Sequence, residues 1–227
     1  MTELALSSSD NVADLASIRM RAGTLAVRDA LPSDVDAFLK YWHYSGDKII
    51  NFLRIDRAKL GTPEDTRRRF FSMIRNPEMV DQPSVVFTLT LNGEVIGYTN
   101  VNRHGPDDNY PHFHTYLHTH RDTVRSAVKT PKGRDGARTG AGIAAALVGP
   151  VIGVFFDHFP MRRIVLQTRV TSIGINRTLD RYLPPDETKF IEVPDGIAST
   201  GEFHMRYVYR KDVSWMIERA HVLANGG

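Results

Sequence analysis

The apolar positions along this chain switch between a two-residue and a 3.6-residue period, and each switch predicts an element boundary. Leu25-Ala26-Val27-Arg28 alternates as a short strand, and Pro32-Ser33-Asp34 then opens an amphipathic helix with Val35, Phe38, Leu39 and Trp42 on one stripe. Thr62-Pro63-Glu64-Asp65 starts a second helix through Phe70, Phe71, Met73 and Ile74. Two strands follow, Val85-Val86-Phe87-Thr88-Leu89-Thr90-Leu91 and Val95-Ile96-Gly97-Tyr98-Thr99-Asn100-Val101. Asn92-Gly93 joins them and accepts the positive φ angles of a tight hairpin turn. Beyond a turn at Gly105-Pro106-Asp107-Asp108, the stretch Tyr110-Pro111-His112-Phe113-His114-Thr115-Tyr116-Leu117-His118 carries Tyr or His at every even position. On a strand, that alternation puts imidazoles and phenols on one face.

Residues 119–137 read as a basic loop longer than compact domains usually carry. A helix from Gly142 to about His158 follows, apolar nearly all round and hence buried, with a kink expected at Gly149-Pro150 and a stop at Pro160. Arg163-Ile164-Val165-Leu166-Gln167-Thr168-Arg169 is a strand, 172–182 a helix, and Pro184-Pro185 a break. Strands near 189–193 and 204–209 flank a turn at Asp195-Gly196, and 213–223 is a terminal helix. Residues 1–22 read as a loose or weakly helical extension, with Ser9 or Asp10 capping 12–20. The expected organisation is an extension over 1–22, one domain over 23–212 and a C-terminal helix and tail over 213–227. No internal repeat interrupts it.

Composition narrows this without redirecting it. At 227 residues, 41% hydrophobic and 24% charged, the chain suits one domain with a sizeable core. No apolar run approaches the roughly 20 residues of a membrane span. The first 21 residues lack the basic start and apolar block of a secretory leader, so the expectation is a cytoplasmic protein without a membrane partner. Cysteine is absent, which removes thiol nucleophiles, disulfides and thiolate metal sites. Net charge is +3, and the excess is local: Arg121, Arg125, Lys129, Lys132, Arg134 and Arg138 share one segment with only Asp122 and Asp135. That arm reads as a solvated loop, a phosphate contact or a nucleic-acid backbone contact.

The arm leads into Arg138-Thr139-Gly140-Ala141-Gly142-Ile143-Ala144-Ala145-Ala146-Leu147. Small residues opening an apolar helix leave amide N–H groups free to point at an anion, with the helix dipole adding favourable potential. The segment reads as a pyrophosphate cradle.

Strand, two helices, hairpin, strand, Gly-rich turn into a helix, then strand, helix and two strands resembles the GNAT superfamily, the Gcn5-related N-acetyltransferases, over roughly residues 24–210. That family places Arg/Gln-x-x-Gly-x-Gly/Ala before its third helix. Here Gly142 and Ala144 take the small-residue positions, Thr139 the Arg/Gln slot, and Arg138 stands one residue early. Ser172-Ile173-Gly174-Ile175-Asn176-Arg177-Thr178-Leu179-Asp180-Arg181-Tyr182-Leu183 is similar to the family's Asn-x-x-Ser-Asn-Arg-x-Leu-Glu-Lys-Leu-Gly segment. The resemblance implies an α/β (α+β) fold around a mixed, mostly antiparallel sheet of about seven strands flanked by helices. It implies an acyltransferase with acetyl-CoA or another acyl-CoA as co-substrate and no metal. The cofactor would lie against Arg138, Thr139, Gly140, Ala141, Gly142, Ile143, Ala144, Ser172 and Asn176. Leu179 stands where many members carry a Tyr that protonates the departing thiolate; Tyr182, one turn later, is either a displaced substitute or packing.

Such a reaction needs a base with a pKa near neutrality, which His has unperturbed. His112 and His114 are the candidates, against a structural role for both and a Zn site shared with His118. Trp42, His43, Tyr44 and Asp47, between the first two helices, with Asn100, Asn102 and Tyr116, are candidates to bind a small-molecule amine. Trp42 also fits a core position. A few proteins resembling this superfamily take their acyl group from aminoacyl-tRNA, so the basic arm (Arg121, Arg125, Lys129, Lys132, Arg134) leaves tRNA open as a partner. A non-catalytic acyl-CoA or metabolite sensor is the third reading. Monomer and homodimer are both compatible with the sequence.

Overall fold

The structure is a computed structural model and describes residues 12–20, 23–46, 57–79, 81–115, 138–192 and 200–224. Its elements are β1 (Asp14–Met20), β2 (Gly23–Asp29), α1 (Val35–His43), α2 (Pro63–Met73), β3 (Ser84–Leu91), β4 (Glu94–Arg103), β5 (Asn109–Thr115), α3 (Arg138–His158), β6 (Arg163–Arg169), α4 (Ile173–Leu179), β7 (Glu187–Ile191), β8 (Gly201–Tyr209) and α5 (Val213–Ala224). The strands form an antiparallel five-stranded sheet in the order β1-β2-β3-β4-β5 and a three-stranded one in the order β6-β8-β7.

The hairpin forms as its turn requires: Asn92 and Gly93 both have positive φ, 52° and 82°. Within β4 the register slips between Leu89 and Thr90 of its partner, so Ile96 is an extra residue. This bulge sends Ile96 to one core cluster and Tyr98 to the other. Helix α2 starts at a capping box: Thr62 Oγ1 accepts from the Asp65 N–H at 3.1 Å, and Asp65 returns the bond to the Thr62 N–H.

Two expectations are corrected. Residues 14–20 are a strand, not a weak helix, because pairing with β2 buries Ile18 to 2% exposure in the main core, a gain no isolated helix offers. This supplies the strand beyond the expected seven. Helix α3 begins at Arg138 rather than Gly142 and runs on through Pro150.

Helices sandwich the larger sheet. On one side α1 and α2 pack Val35, Phe38, Leu39, Trp42 and Phe70 against Val86 and Tyr98. On the other, α3 is buried at Ile143 and from Ala145 to Phe156 beneath α5, among Val27, Phe87, Leu89 and Val101, and its core continues into Ile164, Leu166 and Val208 of the smaller sheet. The opposite face of that smaller sheet has a separate cluster, Val165, Phe203 and Met205, joined by Tyr110, Ile191 and Tyr207.

Candidate functional site

The two sheets meet where β5 and β6 begin. Asn109 Nδ2 donates to the Arg163 carbonyl at 2.9 Å, the Arg162 N–H donates to the Pro106 carbonyl at 2.9 Å, and Arg163 Nε donates to the Asp107 carbonyl at 3.0 Å. Beyond that tie the strands belong to separate sheets, and no ladder joins them among the described residues. In an antiparallel pair alternate N–H groups point away from the partner, so β5 turns every second amide towards the gap. The next described element is α3, whose first turn is Arg138-Thr139-Gly140-Ala141. A helix start leaves about four N–H groups without intrahelical acceptors, and here they belong to the turn that opens at Arg138, ahead of Gly142 and Ala144.

The even positions of β5 share a face, as alternation requires. Tyr110 pairs with Asn102, His112 with Asn100 and His114 with Tyr98. Asn102 Oδ1 accepts from Ser84 Oγ at 2.8 Å and from Asn100 Nδ2 at 3.2 Å, so the two Asn side chains form one polar row leading to His112. His112 keeps an exposed side chain, while its carbonyl accepts the Thr99 hydroxyl at 2.9 Å. The protein around the ring desolvates it, and the nearby His104 adds repulsion; together they hold its pKa below the ordinary histidine value. At neutral pH the imidazole is therefore in its proton-accepting form.

The helix-borne candidates divide. Trp42 is core: it is 8% exposed, and its Nε1 donates to the Tyr98 hydroxyl at 2.6 Å. His43 Nε2 is engaged with Thr66 Oγ1 at 2.8 Å. Tyr44 projects outwards at 72% exposure. Tyr182 takes its packing alternative: it is buried on α3, its hydroxyl donates to the Ala145 carbonyl, and burial pushes the phenol well above its usual pKa. Ile143 is likewise wholly buried, so only its backbone could meet a cofactor.

Asn176 is spent on structure. Its Nδ2 donates to the Arg169 and Val170 carbonyls at 2.8 and 3.2 Å, and its Oδ1 accepts from Thr168 Oγ1 at 2.5 Å. Ser172 precedes α4 without a side-chain cap bond, and its carbonyl accepts the Asn176 N–H at 3.0 Å. The sequence reading passed over Arg206, which organises this corner. Its side chain is wholly buried, with Nε donating to the Leu183 carbonyl at 2.8 Å, Nη1 to Thr168 Oγ1 at 3.0 Å and Nη2 to Asp180 Oδ1 at 2.5 Å. Its signal was its parity on β8, the same as that of His204 and Val208.

Asp47, Tyr116, His118, Arg121, Arg125, Lys129, Lys132 and Arg134 lie outside the described residues. Among the described residues no group of three His, Asp or Glu side chains gathers to hold a metal, and no helix is long and apolar enough to cross a membrane.

No family profile matches the sequence, and no curated protein is close to it in sequence. Solved structures match it in fold. RimJ of Mycobacterium smegmatis, in complex with CoA-disulfide, superposes with a TM-score of 0.60 at 13% identity, over 90% of this chain and 91% of that one. A GNAT-family acetyltransferase from Bacillus anthracis gives 0.54 at 14%, over 86% and 99%. The aminoglycoside acetyltransferase AAC(6')-Ib in complex with coenzyme A gives 0.54 at 13%, over 84% and 98%. The chain has the GNAT acetyltransferase fold.

Proposed function

We propose that this chain is an N-acyltransferase that moves an acetyl group from acetyl-CoA to an amine of a small molecule. The observation that carries the reading is the gap between β5 and β6, tied at one end, with an exposed histidine on the face of β5; the next described element, α3, opens on small residues. Acetyl-CoA, when bound, supplies an acyl carbon already activated as a thioester. The first-turn amides of α3 hold the anionic end, an outward N–H of β5 polarises the carbonyl, and the polar row Asn100–Asn102 orients the amine beside His112. His112, directly or through one water, takes the proton the amine must lose. Holding the two reactants in register can contribute ~7–11 kcal/mol, so a site with one modest base suffices.

The test is to incubate the purified protein with acetyl-CoA and a panel of small amines, reading free thiol and acylated product by mass spectrometry, with an aminoacyl-tRNA donor in a parallel arm. Amine-dependent thiol release with a product heavier by one acetyl group is the expected result. Saturable CoA binding without turnover would make the chain a sensor, and transfer from aminoacyl-tRNA alone would assign the basic arm to tRNA.

A further inference from the structure

We propose that Gln167 of β6 completes the orientation of the acceptor amine begun by the Asn100–Asn102 row, its carboxamide oxygen accepting an N–H of the amine so that the nitrogen lone pair faces the acyl carbon. The proposal rests on the acyltransferase reading and deepens it. Both β5 and β6 start at the Asn109–Arg163 tie and run the same way from it. One step on, Tyr110 of β5 packs against the cluster containing Val165 of β6. Since side chains return to a face every second residue, the next pair on that face is His112 and Gln167. Gln167 therefore stands across the gap from the candidate base, on the side where Asn100 ends its polar row.

Its surroundings suit a ligand-facing role. Gln167 is partly buried, and its cross-strand partner on β8 is Met205, an apolar residue 4% exposed. Its carboxamide makes no hydrogen bond with any described residue. The next polar side chains on β6 do: Thr168 donates to Asn176 and Arg169 to the Thr200 carbonyl. Partly buried amides ordinarily find partners, and this one stands on the face of β6 that carries Val165, beside the gap.

The side chain's neutrality matters chemically. An amine acceptor arrives as an ammonium and must give one proton to His112 before it can attack; after attack the C–N bond has formed, the C–S bond breaks with its electron pair going to sulfur, and the second proton passes from the nitrogen to the departing thiolate, directly or through water. A carboxamide oxygen can hold a remaining N–H throughout without favouring the charged ammonium. A carboxylate in its place would stabilise the ammonium and oppose the first deprotonation.

The experiment compares wild type with Gln167→Met and Gln167→Glu. For Gln167→Met, kcat/KM for the amine falls at least about tenfold, whereas acetyl-CoA affinity by calorimetry and the thermal midpoint stay at wild-type values, because no described intramolecular bond is lost. For Gln167→Glu, the acid limb of the pH–rate profile moves to higher pH. Wild-type amine kinetics in Gln167→Met would overturn the assignment and leave the acyltransferase reading standing. So would a fall in thermal midpoint and CoA affinity together, which would make Gln167 a structural residue. A wild-type protein that transfers to no amine would remove the acyltransferase reading and this assignment with it.

Discussion

Replacing Gly149 by Ala sets helix propensity against packing, and the geometry decides the sign. Ala favours a helix interior over Gly by ~1 kcal/mol. A Cβ at position 149 of α3, however, would lie 2.5 Å from the carbonyl oxygen of Met216, 2.8 Å from its carbonyl carbon and 3.1 Å from the Ile217 nitrogen, all backbone of α5. Backbone cannot swing aside as a side-chain end can, so α5 must move away from α3 and loosen Met216 and Ala220, both wholly buried. Overpacking of this kind costs ~1–3 kcal/mol; with the cost at the upper end and propensity returning ~1, the net loss is about 2 kcal/mol. For a chain of this size that lowers Tm by roughly 4–8 °C. Two glycines serve as controls. At Gly153 an added Cβ meets only the side-chain ends of Ile217 and Val213, at 3.4 and 3.5 Å, and at Gly174 of α4 it meets nothing within 4 Å. Both should stabilise, by roughly 0.5–1 kcal/mol. Urea unfolding followed by far-UV circular dichroism reads all three variants. Gly149→Ala as stable as wild type, or Gly153→Ala as damaging as Gly149→Ala, would refute the reasoning.

Three further outcomes can be checked. Burial works against the Asp34 carboxylate, but bonds from Arg28, the Leu31 N–H and Thr88 outweigh it and hold the pKa below the usual carboxylate value. Its stabilisation is complete above the unfolded carboxyl's ~3.9 and is lost as pH falls through the lower folded value. Asp34→Asn should therefore cost about 3 kcal/mol at pH 7 in urea titrations, and its stability should converge on wild type in acid. With His112 depressed and required neutral, the acid limb of kcat/KM should have its midpoint below the ordinary ~6.5, and His112→Gln should abolish that limb; a midpoint above 6.5 would remove His112 as the base. Arg206→Met should cost about 3 kcal/mol and release amide protection over α4 in hydrogen exchange, and unchanged exchange there would show that Arg206 does not pin the helix.

What the sequence disclosed were the elements whose local chemistry and burial agree. The Asn92-Gly93 hairpin, the box at Thr62 and the stripe Val35, Phe38, Leu39 and Trp42 each carry their own instruction, and each formed where expected. Segment 14–20 carries a conflicting one: Leu15 and Ile18 are spaced for a helix, yet the pairing that makes them a strand lies in β2 and in the main core. Long-range pairing has no local signature in a single strand. At the candidate site the alternation Tyr110, His112, His114 was legible because parity alone fixes a face. Gln167 was not, since its meaning comes from where β6 starts relative to β5, and that offset is set by Asn109 and Arg163 rather than by anything in 163–169.

Helix α4 shows how a single buried charge can redirect a site. Ile173 and Ile175 are 61% and 53% exposed while Asn176 is 7% exposed, so the helix buries a polar side chain on the same face as Leu179 and leaves two apolar ones out. Burying Leu179 accounts for the face but not for the polar residue on it. The reason lies on β8, where Arg206 occupies an inward position opposite Leu166 and must have hydrogen-bond acceptors there, because an unpartnered guanidinium in the core is prohibitively costly. Thr168, Asn176, Asp180 and the Leu183 carbonyl provide those acceptors, and all but Thr168 come from α4 and its exit. Asn176 is thus drawn away from the gap between β5 and β6, even though its spacing from Ser172 matches a cofactor-side residue. An arginine at inward parity on a strand is visible in the sequence, and it predicts that whichever helix packs there will place a polar side chain among the apolar ones it buries.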